Sequence, residues 1–246
     1  MTPPVYMDPF GVIVSELPPP RLRLTEPERE AEALRLYGPT GGPFMLRNIP
    51  GAFDLEITHG VTYPHPSLQT AYESGCAEPW TTQVVTSLLI ASNERNVLET
   101  GCFTGQTSAW LACALERVGG GTLTTVDIDP ARTERCVERI KGLGLTRVEH
   151  RAVTMDVLQF LPTLPDNSVG FAWIDDNHEK AHVEVETRML WEKLAPKGIA
   201  TFHDVWGSCD LQTVVKKWGG MSLNLPRLGM AGGIGILQKP SPEMYR

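Results

Sequence analysis

The sequence predicts an α/β fold, a doubly wound and mostly parallel sheet with helices on both faces. Three observations carry that expectation. From about Ser67 onward, short apolar runs alternate with helix-length amphipathic segments; strict alternation implies parallel pairing, because each crossover helix returns the chain to the same end of the sheet. Val97-Leu98-Glu99-Thr100-Gly101-Cys102-Phe103-Thr104-Gly105 reads as a buried strand, a glycine turn and the start of a helix. Thr125-Val126-Asp127-Ile128-Asp129-Pro130 reads as a second strand that ends in a carboxylate and meets a new helix.

The elements follow in order. A helix from Thr81 to Ser92 leads into strand Asn96 to Glu99, and a helix from Thr107 to Arg117 into strand Thr122 to Asp127. Asp129 stands before Pro130, the pairing of a cap with a first-turn proline, so it reads as a helix cap rather than a ligand. Helix Ala131 to Gly142 precedes strand Val148 to Ala152, and a short helix is expected near Asp156 to Leu161. Strand Val169 to Ile174 ends at Asp175-Asp176, and helix Glu179 to Leu194 is stopped by Pro196-Lys197-Gly198 before strand Ile199 to His203. Thr213 to Trp218 is expected as helix and Gly232 to Lys239 as a last strand. Residues 1–65 differ: they are broken by Pro18-Pro19-Pro20, Gly38-Pro39 and Gly41-Gly42-Pro43. One helix is credible there, with Thr25 and Glu28 as a capping box, Ala31 to Tyr37 as body and Gly38 as stop. The division expected is therefore a cap segment over 1–65 and a ligand-binding domain over 66–246, the cap covering the ligand cleft.

The glycine turn builds a nucleotide site. Its glycines permit a sharp turn and close approach of backbone to ligand, and the helix after it offers free N–H groups. Asp127 lies roughly twenty residues beyond the turn, the spacing at which a strand-end acid reaches ribose hydroxyls. A dinucleotide fold carries glycine at the middle position so that pyrophosphate can touch the backbone. Here that position is Phe103, and Glu99 at the strand end would repel a pyrophosphate. A ligand with ribose, adenine and a cationic centre fits better.

Glu99-x-Gly101-x-x-x-Gly105 resembles the first motif of class I S-adenosylmethionine-dependent methyltransferases. The variant Glu-Thr-Gly-Cys-Phe-Thr-Gly-Gln-Thr-Ser is similar to the metal-dependent catechol and caffeoyl-CoA O-methyltransferase branch and its bacterial relatives. The resemblance covers about residue 80 to the C-terminus and implies a seven-stranded Rossmann-like sheet whose last hairpin is antiparallel. It implies that the Gly101 to Gly105 turn, with Phe103, lies against the methionine part of S-adenosylmethionine, with Glu99 near its ammonium. It also implies that Asp127 binds the ribose hydroxyls and Asp156 faces the adenine amino group. Asp156 reads equally well as a helix cap, and the two roles are compatible.

Two further clusters, Asp175-Asp176-Asn177-His178 and His203-Asp204-Val205-Trp206, follow strands and so fall at the edge where ligands bind in an open α/β sheet. They resemble the metal-site segments of the same branch. That resemblance implies Asp175 and Asp204 as metal carboxylates and His178 in the position of the catalytic base, usually lysine in the catechol enzymes. The family's Asn ligand is replaced by Val205, which cannot coordinate. His203 or Asp176 could supply the missing ligand, or the metal is absent. Two carboxylates favour Mg²⁺, whereas an added imidazole shifts preference toward Mn²⁺, Fe²⁺ or Zn²⁺.

His178-Glu179-Lys180-Ala181-His182 also spells H-E-x-x-H, in which two imidazoles on one helix face bind zinc and the glutamate activates water. It abuts a strand end in a sheet that already carries a cofactor pattern, and no metzincin continuation follows, so His182 reads as structural or as cleft lining. The function expected is methyl transfer from S-adenosylmethionine to an oxygen of a small hydroxylated molecule, with metal assistance. A macromolecular acceptor is the first rival. A metal-dependent hydrolase or oxygenase using the Asp175/His178/Asp204 edge is the second, and a protein that binds the cofactor without turnover is the third. His59, Tyr63, His65, Trp206 and Arg227 are candidates to line an acceptor pocket, while Trp110, Trp173, Trp191 and Trp218 fall in core elements.

Composition narrows the partners. A net charge of -7 without a run of basic residues excludes a broad phosphate-binding surface, so no nucleic acid is expected. Five scattered cysteines (Cys76, Cys102, Cys113, Cys136, Cys209) with no C-x-x-C pair read as small buried hydrophobes of a reducing compartment. The first residues lack a basic and apolar leader, and the apolar stretch from Val84 to Ala91 is too short for a bilayer. A cytoplasmic protein with a small-molecule substrate and no membrane partner is expected, and homo-oligomer formation stays open.

Overall fold

The computed structural model describes residues 63–68, 75–206, 210–223 and 233–241. The helix expected over Ala31 to Tyr37, His59, Cys209, Arg227 and all of the 1–65 segment except its last three residues lie outside the described residues.

Those residues form a seven-stranded sheet in the order β3-β2-β1-β4-β5-β7-β6. The strands are β1 (Asn96–Thr100), β2 (Gly121–Asp127), β3 (Val148–Thr154), β4 (Val169–Ile174), β5 (Leu194–Phe202), β6 (Met221–Leu223) and β7 (Ile234–Gln238). All pairs from β3 to β5 are parallel, whereas β7 runs antiparallel to both β5 and β6. The α-helices are α1 (Pro79–Ser92), α2 (Gln106–Arg117), α3 (Pro130–Lys141), α4 (Val157–Phe160), α5 (Lys180–Lys193) and α6 (Gln212–Lys217). None of the described helices is long and apolar enough to cross a membrane.

The pleat sorts side chains onto the two faces. Val97 of β1 and Phe171 and Trp173 of β4 join Leu89, Leu111 and Leu115 of α1 and α2 in one core. Their neighbours Leu98, Ala172 and Ile174 join Phe160, Leu190 and Val214 of α4, α5 and α6 in the other. Continuous apolar strands covered on both sides are what a doubly wound sheet requires. The strand order reverses between β1 and β4, and this switch point opens a crevice at the carboxyl ends of the strands.

Local chemistry sets the boundaries. Pro79 starts α1 two residues earlier than the apolar pattern suggested, because proline's missing N–H costs nothing in a first turn. Asn93, in left-handed conformation at φ 56°, ends that helix. Asp129 caps α3, its side chain accepting the Ala131 N–H at 2.8 Å, as expected. The larger correction concerns Pro196-Lys197-Gly198, expected as a break ahead of a strand. It lies inside β5 as a bulge: Val169 faces Leu194 while Phe171 already faces Ile199. Lys197, at φ 69°, makes the turn that absorbs the extra residues. Cys102, Cys113 and Cys136 are buried free thiols and Cys76 is half-buried, in line with the reading of small apolar residues.

Candidate active site

The carboxyl ends of β1, β2, β4 and β5 bring the candidate residues to one edge, in three groups. The first surrounds the glycine turn. Gly101 sits at φ +78° and donates its N–H to the Val126 carbonyl at 2.8 Å. A Cβ there would lie 2.3 Å from the Asp175 carbonyl oxygen, so only glycine lets β1 and β4 come together at this level. Gly105 at φ +76° starts α2. Phe103 between them is also left-handed at φ 45°, and the Arg132 guanidinium lies 5.3 Å from its ring centroid.

Asp127 is buried at the end of β2 and binds backbone in both directions. One oxygen accepts the Cys102 and Phe103 N–H groups at 3.1 and 3.2 Å, and the other accepts the Asp129 N–H at 3.0 Å. It thus holds the glycine turn in shape and keeps part of its acceptor capacity for a ligand. Asp156 accepts the Leu158 N–H at 2.8 Å, which realises its cap reading. Ile128 and Met155, immediately after Asp127 and before Asp156, are 69% and 38% exposed. Two uncovered apolar side chains flanking two acids suit a flat heterocycle with polar rims, a feature that periodicity could not single out.

Glu99 is fully buried. Ser108 of α2 donates a hydrogen bond to one carboxyl oxygen, and the other, Oε1, has no partner. Burial, with the charges of Cys136, Asp175 and Asp127, pushes its pKa well above the carboxylate range against the Ser108 bond. The folded chain therefore holds this proton more tightly than the unfolded chain, and stability falls as pH rises above the ordinary value of 4.5. Glu99→Gln should remove that slope in ligand-free protein. The stability gap between variant and wild type, read by denaturant unfolding, should widen from pH 4.5 upward; a gap that ignores pH contradicts the assignment.

The second group is the Asp175 edge. Asp175 Oδ1 accepts from His203 Nδ1 at 2.9 Å, and His178 Nε2 lies 3.3 Å from the same oxygen and 3.7 Å from Asp204 Oδ2. His203 Nε2 faces Glu78 Oε2 at 3.3 Å and Asp204 Oδ1 at 3.7 Å. Burial pulls the His203 pKa down, but the Asp175, Glu78 and Asp204 carboxylates outweigh it and hold the ring well above its ordinary range. Protonated His203 thus stands where a cation would neutralise three acids. Burial pushes Asp175 upward, but the His203 and His178 rings leave its pKa lowered, whereas burial leaves that of Asp204 raised. Asp204 takes a left-handed φ of 46°, strain of the kind that collects at functional sites.

This group fits a divalent cation. Donor atoms of Asp175, His178 and His203 lie within 4.8 Å of one another, with the Asp204 carboxylate beside them. The mixed oxygen and nitrogen set suits a first-row transition metal better than Mg²⁺. Of the two candidates for the replaced Asn ligand, His203 is in the group and Asp176 is not. Val205 is itself buried in the core. Glu78 is the residue that sequence reasoning missed: it lies at the cap position of α1, far away in the chain, and its only signal is an acid before a proline.

The third group is Asp176, His182 and Glu186. It dissolves the H-E-x-x-H pattern. Helix α5 begins at Lys180, so His178 precedes it and serves the Asp175 edge, while His182, on the helix, pairs with Asp176 at 3.0 Å. The two imidazoles of the pattern join different groups and share no zinc-binding face. Among the acceptor candidates, Tyr63 packs against the buried Trp110 at 5.5 Å between centroids, and His65 bonds the Ser67 hydroxyl at 2.7 Å. Trp191 and Trp218 pack on each other at 5.4 Å, as core residues do.

Residues 98–205, from β1 to just past β5, match a family model described as a methyltransferase domain. That stretch is thus similar to a methyltransferase domain. Solved structures share the fold. The O-methyltransferase TomG of Streptomyces achromogenes, in complex with SAM, is 19% identical with a TM-score of 0.56, covering 75% of this chain and 90% of its own. An O-methyltransferase of Bacillus cereus with SAH is 19% identical with a TM-score of 0.53, covering 78% and 93%. A putative O-methyltransferase of Klebsiella pneumoniae is 18% identical with a TM-score of 0.55, covering 78% and 92%. No curated protein sequence matches this chain.

Proposed function

We propose that this chain is an S-adenosylmethionine-dependent methyltransferase that acts on an oxygen of a small hydroxylated molecule, assisted by a divalent cation at Asp175, His203 and Asp204. The observation that carries the reading is His178. Its Nε2 lies 3.3 Å from Asp175 and 3.7 Å from Asp204, just beyond the strand end that packs against the glycine turn; burial pulls its pKa down, but the two carboxylates outweigh it and raise the ring above its ordinary value. An imidazole made more basic by two carboxylates, beside the donor turn, is suited to take up the proton that an acceptor hydroxyl must lose. When bound, S-adenosylmethionine supplies an electrophilic methyl and the cation supplies positive charge beside the acceptor oxygen.

The chain's own residues do the rest by positioning. Asp127 and Asp156 present acceptors to the ribose and adenine edges, with Ile128 and Met155 as apolar walls. Glu99, whose Oε1 is buried without a partner, compensates the ammonium. Because ligand-free Glu99 favours its neutral form, donor binding should release a proton. Calorimetric enthalpies in buffers of different ionisation heat should then diverge for wild type and coincide for Glu99→Gln; identical wild-type values in all buffers sink this role. Val205 offers no ligand atom, so His203 would take that place by giving up its proton. The O-methyltransferases among the similar structures support oxygen as the acceptor atom, and the acidic net charge supports a small acceptor over nucleic acid.

The test is transfer of labelled methyl to a panel of catechols, sugars and hydroxylated metabolites, with and without chelator. Transfer that chelator abolishes and Mn²⁺ or Mg²⁺ restores is expected. Labelling of protein or nucleic acid alone, or full activity in chelator, contradicts the acceptor class or the metal role respectively.

A further inference from the structure

We propose that Asp176, His182 and Glu186 form a second binding site, for a divalent first-row transition-metal ion, on the opposite side of the sheet edge from Asp175. Neither the glycine turn nor the Asp175 edge uses these residues, and the site depends neither on the acceptor nor on methyl transfer.

The geometry is that of a ligand set. One donor atom from each residue lies within 4.8 Å of the other two. His182 Nε2 is 3.0 Å from Asp176 Oδ2 and 4.0 Å from Glu186 Oε2. His182 and Glu186 are four residues apart on α5, so both project from one helix face. The pleat separates this set from the first. Asp175 continues the side of β4 that carries Phe171 and Trp173, and meets His203. Asp176 turns to the α5 side, where Ala172 and Ile174 pack.

Glu186 supplies the independent observation. Its side chain is 1% exposed, and no hydrogen bond of good geometry reaches either carboxyl oxygen. Asp176 Oδ1 is likewise buried without a partner, and the Thr100 hydroxyl stands against Glu186. A buried carboxylate without partners is costly, and proteins that keep one pair it or give it a metal. Two carboxylates with one imidazole prefer Mn²⁺, Fe²⁺, Co²⁺ or Zn²⁺ to the all-oxygen ions. The Asp176 and His182 side chains are 19% and 16% exposed, which leaves an entry path. A bound ion would tie the end of β4 to α5. It would also brace the glycine turn, since a Cβ on Gly101 would lie 2.6 Å from the Asp176 Cα.

The experiment is Co²⁺ titration of metal-stripped full-length protein, followed by visible absorption and by the thermal midpoint. Expected are two equivalents for wild type, and one for a His203→Gln/Asp204→Asn variant that keeps the cobalt-induced rise in midpoint. Adding Glu186→Gln to that variant should abolish both the absorption and the rise. His182→Gln in its place should do the same and serves as the second variant, while Glu186→Gln, near-isosteric with the carboxyl it replaces, is expected to preserve the fold. Cobalt binding that survives Glu186→Gln and His182→Gln unchanged, or that is wholly lost in the His203→Gln/Asp204→Asn variant, overturns the site.

Discussion

His178→Gln should lower turnover by about 10²-fold or more, the range in which a positioned general base contributes, while leaving affinity for S-adenosylmethionine unchanged. Glutamine preserves the length and polarity of the side chain but cannot take up the acceptor's proton. The effect should fall on kcat rather than on donor binding, because the ring meets Asp175 and Asp204 and none of the residues assigned to the donor. Single-turnover kinetics with an acceptor that the wild type methylates, alongside donor calorimetry, separates the two. A variant within a factor of about three of wild type would return His178 to a structural role and leave acceptor ionisation to the Asp175 edge as a whole.

Gly101→Ala should be strongly destabilising although it adds only one methyl group. The added Cβ would meet backbone, not a movable side chain: the Asp175 carbonyl oxygen at 2.3 Å and its carbon at 2.6 Å. The left-handed φ of +78° adds a penalty that glycine escapes. Left-handed strain of roughly 1–2 kcal/mol and overpacking of roughly 1–3 kcal/mol give an expected loss of about 2–5 kcal/mol. That is a large part of the stability of an ordinary domain. Denaturant unfolding measures it, and a loss below about 1 kcal/mol would contradict the close packing of β1 on β4. The role of this glycine is therefore broader than its motif suggests: it permits close approach to a ligand and also closes the sheet at its switch point.

The fold was largely legible in the sequence because alternation of strand and helix is a repeated, redundant signal. β4 is an apolar run, β1 and β2 are short segments rich in β-branched and apolar residues, all three are bounded by punctuation, and an error of one or two residues at Pro79 or Thr154 changes nothing downstream. The bulge at Pro196-Lys197-Gly198 was not legible, since a proline and a glycine announce a break equally well inside a strand and before one. The three-residue β6 left no pattern of its own, and the antiparallel hairpin was implied only by the family resemblance. At the site, Glu99, Gly101, Gly105 and Asp127 were legible because they occupy one strand–turn–helix–strand unit with fixed spacing. Glu78 was not, because its partnership with His203 spans 125 residues and is made by the sheet. H-E-x-x-H misled for a related reason. The pattern presumes a helix through both histidines, whereas α5 starts between them at Lys180. Where a helix begins is the least certain feature of a sequence reading, and here two residues decide which group each imidazole joins.

Titration calorimetry of S-adenosylmethionine, into the wild-type protein and Asp127→Ala, tests the account most directly. Wild type should bind one equivalent with micromolar affinity. The variant should bind at least about tenfold more weakly, because a charge-assisted hydrogen bond to ribose contributes roughly 1.5–3 kcal/mol. Equal affinity in a folded Asp127→Ala protein, or no binding by the wild type, would contradict the assignment of the β1–β2 edge as the methyl-donor site.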